Sequence, residues 1–156
     1  MASYQEHALD GASPVDLVVA LYDGVIRFLY TAIAAVERGN VRERRIAVKR
    51  ALAILIHLQA RLRMDIGGHP AEVLSEFYAS MFALILQASL GASPQRFEEV
   101  IGCVRSIRDA WRQVAVEQAL NPSSTFHTGA PMQRVVAMSQ PPLPPIDSDQ
   151  GSRWTA

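Results

Sequence analysis

Apolar positions in this chain recur every three to four residues over four stretches, roughly 14 to 38, 42 to 65, 70 to 90 and 94 to 119. No stretch shows the sustained period of two that marks a half-buried strand. Ser13-Pro14-Val15-Asp16 opens the first stretch as a helix start: Ser13 can cap, Pro14 fits the first helical position, where no N–H is needed, and Asp16 completes a capping box. Ala92-Ser93-Pro94 repeats the device before the last stretch. Arg38-Gly39-Asn40, Gly67-Gly68 and Gly91 read as stops, each offering a residue that accepts the left-handed conformation ending a helix. Connections this short set consecutive helices antiparallel, so the pattern predicts an all-α, up-down four-helix bundle over 13–120. Residues 1–12 are expected to form a flexible N-terminal segment. From Asn121 to Ala156 the chain mixes Pro, Ser, Gln and Gly without a period, the composition of a disordered tail. Within it, Pro141 to Pro145 reads as solvated extended chain or as a polyproline ligand, and Val135-Val136-Ala137-Met138 as a segment able to dock on the bundle.

Tyr22-Asp23-Gly24 interrupts this reading, because Asp-Gly between apolar runs is a strong hairpin signal. Winding the stretch at about 100° per residue resolves the conflict. Asp16, Asp23, Arg27, Thr31, Ala34 and Arg38 fall in one polar stripe, and the apolar rows pass through Asp23 and Gly24 in register. Leu17, Leu21, Val25, Phe28 and Ala32 lie on one side, with Val19, Tyr22, Ile26, Leu29 and Ile33 on the other. The apolar arc spans roughly 200°, where a surface helix needs little more than 100°. The first helix is therefore the most buried one, or it serves two contacts. Gly24 is expected to let a neighbouring backbone approach, belonging either to the bundle or to a binding partner.

The second helix carries two apolar stripes. Ala47, Ala51, Leu55, Leu58 and Leu62 form a core face, while Ile46, Ala53, Ile56, Ala60 and Met64 form a second on nearly the opposite side. A bundle does not need the second stripe, which reads either as scattered surface residues or as a contact surface. In the third helix Val73, Leu74, Phe77, Tyr78, Met81, Leu84, Ile85 and Ala88 are assigned to the core, with Phe82 and Leu86 projecting away. No charged residue occurs from Phe77 to Gln95. A membrane span needs ~20 apolar residues, and Gly91, Ser93 and Pro94 break the run, so the surplus points to an apolar groove and against stable membrane insertion. The alternatives are a central position in the bundle or cover by the tail. In the fourth helix Phe97, Val100, Ile101, Val104, Ile107 and Trp111 face inward, Cys103 borders the core, and Arg108 near the core edge is expected to pair with Asp23.

Composition narrows the function classes. Fifteen basic residues balance fifteen acidic ones, removing any bulk attraction to nucleic acid or anionic membranes. One cysteine excludes an internal disulfide, the N-terminus lacks a secretory signal pattern, and a cytoplasmic protein is expected. His7, His57, His69 and His127 have no metal-ligand spacing, and no phosphate loop, Cys-x-x-Cys or catalytic constellation occurs, so no enzyme, metal or cofactor is expected. The basic cluster Arg42, Arg44, Arg45, Lys49 and Arg50 lacks interleaved aromatics and reads as a solvated face before it reads as an RNA or acidic-peptide site.

The block "YQEHALDGASPVDLVVALYDGVIRFLYTAIAAVERGN", the pair Gly67-Gly68, "EFYASM" and "RDAWRQV", in this order and spacing over about residues 4 to 118, resembles the flagellar secretion chaperones of the FliS family. Ser13, Pro14, Leu21, Tyr22, Asp23 and Gly24 carry the most specific motif, and Arg108, Asp109 and Trp111 add a second. The resemblance implies a cytoplasmic helical bundle that binds the C-terminal region of flagellin, prevents its premature polymerisation and hands it to the flagellar type III export apparatus. It also implies that the N-terminal segment holding Tyr4 lies over the client surface and moves aside. The client-binding set expected from the apolar surplus is Ile46, Ala53, Ile56, Ala60, Met64, Phe82 and Leu86. Departures from the family pattern at Ala20, at Phe82 to Leu86 and after Asn121 leave open a paralogous chaperone for another secreted client. A homodimer or helical scaffold closed by the same surplus is the reading from a different class.

Overall fold

The computed structural model describes residues 13–121, apart from the side chain of Met64. Tyr4, the N-terminal segment and the tail lie outside the described residues. Four helices form in chain order: α1 (Pro14–Glu37), α2 (Val41–Ala60), α3 (Met64–Leu90) and α4 (Pro94–Leu120). Each packs on two neighbours, α1 on α2 and α4, and α3 on α2 and α4, which closes a four-helix bundle.

Local chemistry sets most of the boundaries. Ser13 Oγ accepts the Asp16 N–H at 3.1 Å and Asp16 answers the Ser13 N–H at 3.4 Å, forming the expected capping box. Ser93 Oγ accepts the Arg96 N–H at 3.3 Å and caps α4 in the same way. Gly39 turns the chain after α1 at φ +68°. At the α3–α4 connection Gly91 stands at the helix end with φ −80°, and the left-handed residue is Ala92 at φ +45°, not the glycine.

Gly67-Gly68 breaks the helix as expected, but the reversal from α2 comes before it. The chain reverses at Arg61 to Arg63, so α2 ends at Ala60 rather than near 65, and α3 opens with a short piece from Met64 ahead of the long helix expected from about 70. Gly68 takes a left-handed conformation, φ +54° and ψ −143°, but inside α3, where it makes a kink. Pro70 supports that kink, since it has no N–H to continue the helical ladder. Met64 consequently belongs to α3 and not to the second stripe of α2.

The core is apolar throughout: among the described residues no polar or charged residue other than tyrosine is fully buried. Val25, Leu29 and Ala32 of α1, Leu55 of α2, Ile85 of α3 and Phe97 of α4 lie at its centre. All six inward residues assigned to α4 are buried, joined by Ala110 and Val114. Two assignments fail. Leu84 is 40% exposed, because one turn further round α3 the face already leaves the bundle. Cys103 is exposed, beyond the edge of the buried row Val100-Ile101-Val104.

Gly24 is buried against α2, and a Cβ placed there would stand 2.9 Å from Ile54 Cδ1. The close approach is therefore by a side chain of this bundle, not by a backbone or a partner. Across the diagonal, the Tyr22 and Tyr78 hydroxyls meet at 2.5 Å, tying α1 to α3. Burial pushes both phenols up, Tyr78 to about 12 and Tyr22 well above 10. The buried Trp111 N–H has no well-formed hydrogen bond among the described residues, yet its proximity to the Tyr22 hydroxyl offsets part of that rise.

Arg108, with its side chain 17% exposed, donates to Asp23 at 3.0 Å and to Asp109 at 3.0 Å, and Arg112 reaches the other Asp23 oxygen at 3.3 Å. The expected α1–α4 pair thus exists as part of a four-residue network. Burial opposes the Arg108 charge, but the hydrogen bonds to Asp109 and Asp23 outweigh it and hold the guanidinium above its usual pKa.

By length and composition alone, Pro14–Glu37 and Asp65–Leu90 are each apolar enough to cross a membrane. In the bundle the apolar rows of both helices supply core residues, the ordinary reason for a core helix to meet that criterion.

Gly24→Leu should lose about 1–3 kcal/mol in urea unfolding followed by circular dichroism, as overpacking predicts. Gly24→Ala should gain more stability in an Ile54→Val background, where Cδ1 is gone, than in the parent; equal effects in both would remove Ile54 as the constraint. A double-mutant cycle of Asp23→Asn and Arg108→Gln should give a coupling of roughly 0.5–1 kcal/mol, kept small by the partial exposure of Asp23 and by Arg112 as a second partner. Finally, both buried tyrosines have folded pKa values above their unfolded value near 10. Their contribution is complete below pH ~10 and is lost as pH rises from there through the folded values. The melting temperature should fall over that alkaline range, and less steeply in Tyr78→Phe.

Candidate functional site

Residues of α2 that the core does not use form a continuous exposed face. Ile46 is 43% and Ile56 58% exposed, and Ala53 and Ala60 are exposed beside them. The core face of the same helix, Ala47, Ala51, Leu55 and Leu58, is at most 2% exposed. The two stripes are separated as the winding predicts, and the second faces solvent rather than a neighbouring helix.

That face runs into a groove between α2 and α3 lined by Leu55, Ile56, Gln59, Tyr78, Ala79 and Phe82, with a volume of about 280 Å³. Its lining is almost wholly apolar. Gln59 Nε2 donates to Ser75 Oγ at 2.5 Å and bridges the two walls at one end. Phe82 does not project away from the bundle. It is half-buried and packs against the core while forming one groove wall, because its position on α3 is adjacent to the buried row of Tyr78, Met81 and Ile85. Leu86, 40% exposed, continues the same side of α3 one turn beyond.

The structure therefore brings Ile56 and Phe82 together in one concavity and sets Ile46, Ala53, Ala60 and Leu86 along its approaches. Met64 is the member it does not bring there as part of α2, and its side chain is outside the described ones. Four lining residues lie outside the expected binding set, for different reasons. Leu55 and Tyr78 were read as core, which they are, since each shows the groove only an edge. Gln59 is polar and on no apolar row, and only the α2–α3 register brings it to the groove. Ala79 carried no signal, being small and on no apolar row.

The remaining motif residues are structural in position. Ser13 and Pro14 start α1, Leu21 packs on the core margin, Tyr22 and Trp111 are buried, and Asp23, Arg108 and Asp109 form the charged network at the α1–α4 interface. None of them lines the α2–α3 groove. Among the described residues no group of three metal-ligating side chains is close enough to hold an ion. The geometry offers shape and apolar area for binding an extended or helical segment, and its only titratable lining group is the buried phenol of Tyr78.

The family model described as flagellar protein FliS matches residues 1–118. The chain is 35% identical over 119 residues to the flagellar secretion chaperone FliS of Salmonella typhimurium, covering 76% of this chain and 88% of that protein. It is 36% identical over 109 residues to the protein of the same name from Vibrio cholerae, covering 70% of this chain and 80% of that one. With the namesake from Campylobacter jejuni the identity is 33% over 112 residues, covering 72% and 88%. The chain belongs to the FliS family, whose matched relatives carry the name flagellar secretion chaperone.

Proposed function

We propose that this chain is a flagellar export chaperone that binds the C-terminal region of flagellin on the outer face of α2 and in the α2–α3 groove. In this reading it keeps the client from polymerising in the cytoplasm and hands it to the flagellar type III export apparatus. Ile46, Ala53, Ile56, Ala60, Phe82 and Leu86 form the client surface, and Met64 completes the proposed set. The segment holding Tyr4 covers that surface when no client is bound.

The observation that carries the reading is the exposed apolar face of α2 in a bundle whose core is already complete. Ile46 and Ile56 are exposed although Ala47, Ala51, Leu55 and Leu58 satisfy the packing of that helix. Family membership supplies the class of partner, and the surface supplies a physical means. A client that is amphipathic and unfolded before assembly needs a folded apolar template, and orders as it lies down. Burying ~1,000 Å² of apolar client surface at about 25 cal/mol per Å² gives roughly 25 kcal/mol gross, most of it consumed in ordering the client. Such binding requires neither a cofactor nor catalysis.

A titration of the full chain with the flagellin C-terminal region tests the assignment. Ile56→Asp, at a site exposed enough to leave the bundle intact, should weaken binding at least tenfold, since it places an unpaired carboxylate in the contact at a cost above about 1.4 kcal/mol. Phe82→Asp should weaken it further, with some loss of stability from the half-buried site. Cys103→Asp, on the exposed face of α4, should leave affinity unchanged. Parent-like affinity in both groove variants would reject the surface. A stable dimer by light scattering that Ile56→Asp dissociates would instead favour self-association through the same face.

A further inference from the structure

The exposed face of α2 changes character along its length. Toward the C-terminal end of the helix it is apolar, with Ala53, Ile56 and Ala60; toward the N-terminal end it carries Arg42, Arg45 and Lys49 around Ile46. Helical spacing places Arg45, Lys49, Leu52, Ile56 and Gln59 on a single ridge, each three or four residues from the next. That ridge is the α2 edge of the groove, since Ile56 and Gln59 line it.

Among the described residues nothing neutralises the basic end of the ridge. Arg38 takes Glu43 at 2.7 Å, the only acid on α2. Arg50 is turned toward α1, its guanidinium 5.8 Å from the centre of the Phe28 ring that Arg27 approaches from 5.7 Å. The Gln59–Ser75 bridge fixes the antiparallel register of the walls, so the part of α3 alongside Lys49 and Arg45 lies beyond Phe82, toward Leu86 and Leu90. That wall contains no carboxylate, because Phe77 to Gln95 is uncharged. Among the described residues Arg42, Arg45 and Lys49 form no ion pair.

We infer that the groove is electrically polarised along its length, and that its occupant is an amphipathic segment with an apolar anchor over Ile56 and Phe82 and carboxylates over Lys49 and Arg45. The inference rests on the reading of this groove as a client site and adds the chemistry of the client. Lys49 and Arg45 lie seven and eleven residues from Ile56, about 10 and 16 Å along the helix axis at 1.5 Å per residue. An occupant in helical form therefore carries its acidic residues two to three turns from its anchor, and only at one end. Reversing it would carry those carboxylates past the Gln59–Ser75 bridge to the α2–α3 turn, where Arg63 is taken by Asp65, His69 by Glu72, and the remaining cation Arg61 shares that end of the molecule with Glu76. The apolar contact holds the segment and the charged end sets its direction, the usual division between hydrophobic anchoring and electrostatic specificity. A concave groove with a net basic end and a charge-balanced one suits a peptide segment better than a lipid surface, which needs a convex basic-apolar face.

The test uses the full chain and two synthetic amphipathic peptides of about 18 residues that differ only in having two Glu or two Gln two to three turns from a shared Leu/Phe anchor. Fluorescence anisotropy at low salt should show the Glu peptide binding about five- to tenfold more tightly, with the preference fading near 0.3 M salt as exposed pairs are screened. Arg45→Gln/Lys49→Gln should abolish the preference while retaining the affinity for the Gln peptide. Arg45→Glu/Lys49→Glu should invert the preference toward a Lys-ended peptide. Equal affinity for the Glu and Gln peptides, with both lost in Ile56→Asp, would overturn the polarity and leave the groove as a client site. Binding that is indifferent to Ile56→Asp, or absent for every peptide, would overturn the inference together with the groove. Salt-sensitive binding of single-stranded RNA or anionic vesicles through Arg45 and Lys49, competing with the Glu peptide, would also overturn it.

Discussion

The width of the apolar arc on α1 is the constraint that the rest of the structure follows. One helix carries two packing faces, so α2 and α4 both settle on it, and its polar residues are compressed into a narrow stripe. Buried residues from both faces, Val25 and Ala32 on one and Tyr22 and Leu29 on the other, fix those two neighbours. Gly24 lets α2 come in until the tip of Ile54 occupies the space of a missing methyl group. Asp23, one residue away on the polar edge, draws in Arg108 and Arg112 from α4. With both partners satisfied by α1, the seam between α2 and α3 is left as an open groove, closed on its inner side by Tyr78 and Leu55.

This arrangement separates the family motif from the proposed binding surface. The Tyr-Asp-Gly block and the Asp-Ala-Trp block both lie at the α1 interfaces, where they hold the scaffold. The proposed client residues lie on the far side of α2 and the near side of α3. The exposed members Ile46, Ala53, Ile56, Ala60 and Leu86 can change without endangering the fold, whereas Phe82 also packs on the core. The surface carries Ile56 and Phe82 at one end and Lys49 and Arg45 at the other.

Much of this was legible in the residues. Four helices, the Ser13 and Ser93 caps, the passage of α1 through an apparent hairpin signal, the Asp23–Arg108 pair and the two stripes of α2 all follow from period and capping chemistry. What the sequence hid has local physical causes. Gly67-Gly68 does break the helical backbone, but the reversal from α2 falls earlier, at Arg61 to Arg63, where no glycine or proline marks it. Leu84 and Cys103 were assigned to the core because an apolar type near a buried row does not say which side of the row's edge it occupies. Periodicity sets Phe82 away from the core row, whereas its ring packs on the core and still walls the groove. The neighbour of Gly24 was expected to be backbone, since glycine more often marks backbone approach than the tip of an isoleucine. The groove itself depends on the register of α2 against α3, which periodicity within either helix cannot supply.

The central claim is that the bundle is complete without its client and that the client lies on the α2–α3 side. Amide hydrogen exchange on the full chain, with and without the flagellin C-terminal region, addresses both halves at once. The account predicts slow exchange through the buried turns of α1 and α4 in the free chain. Addition of client should add protection concentrated in α2 and in the Tyr78–Leu90 half of α3. Protection gained only on α4, or a free chain whose α1 amides exchange as fast as unfolded ones, would contradict it.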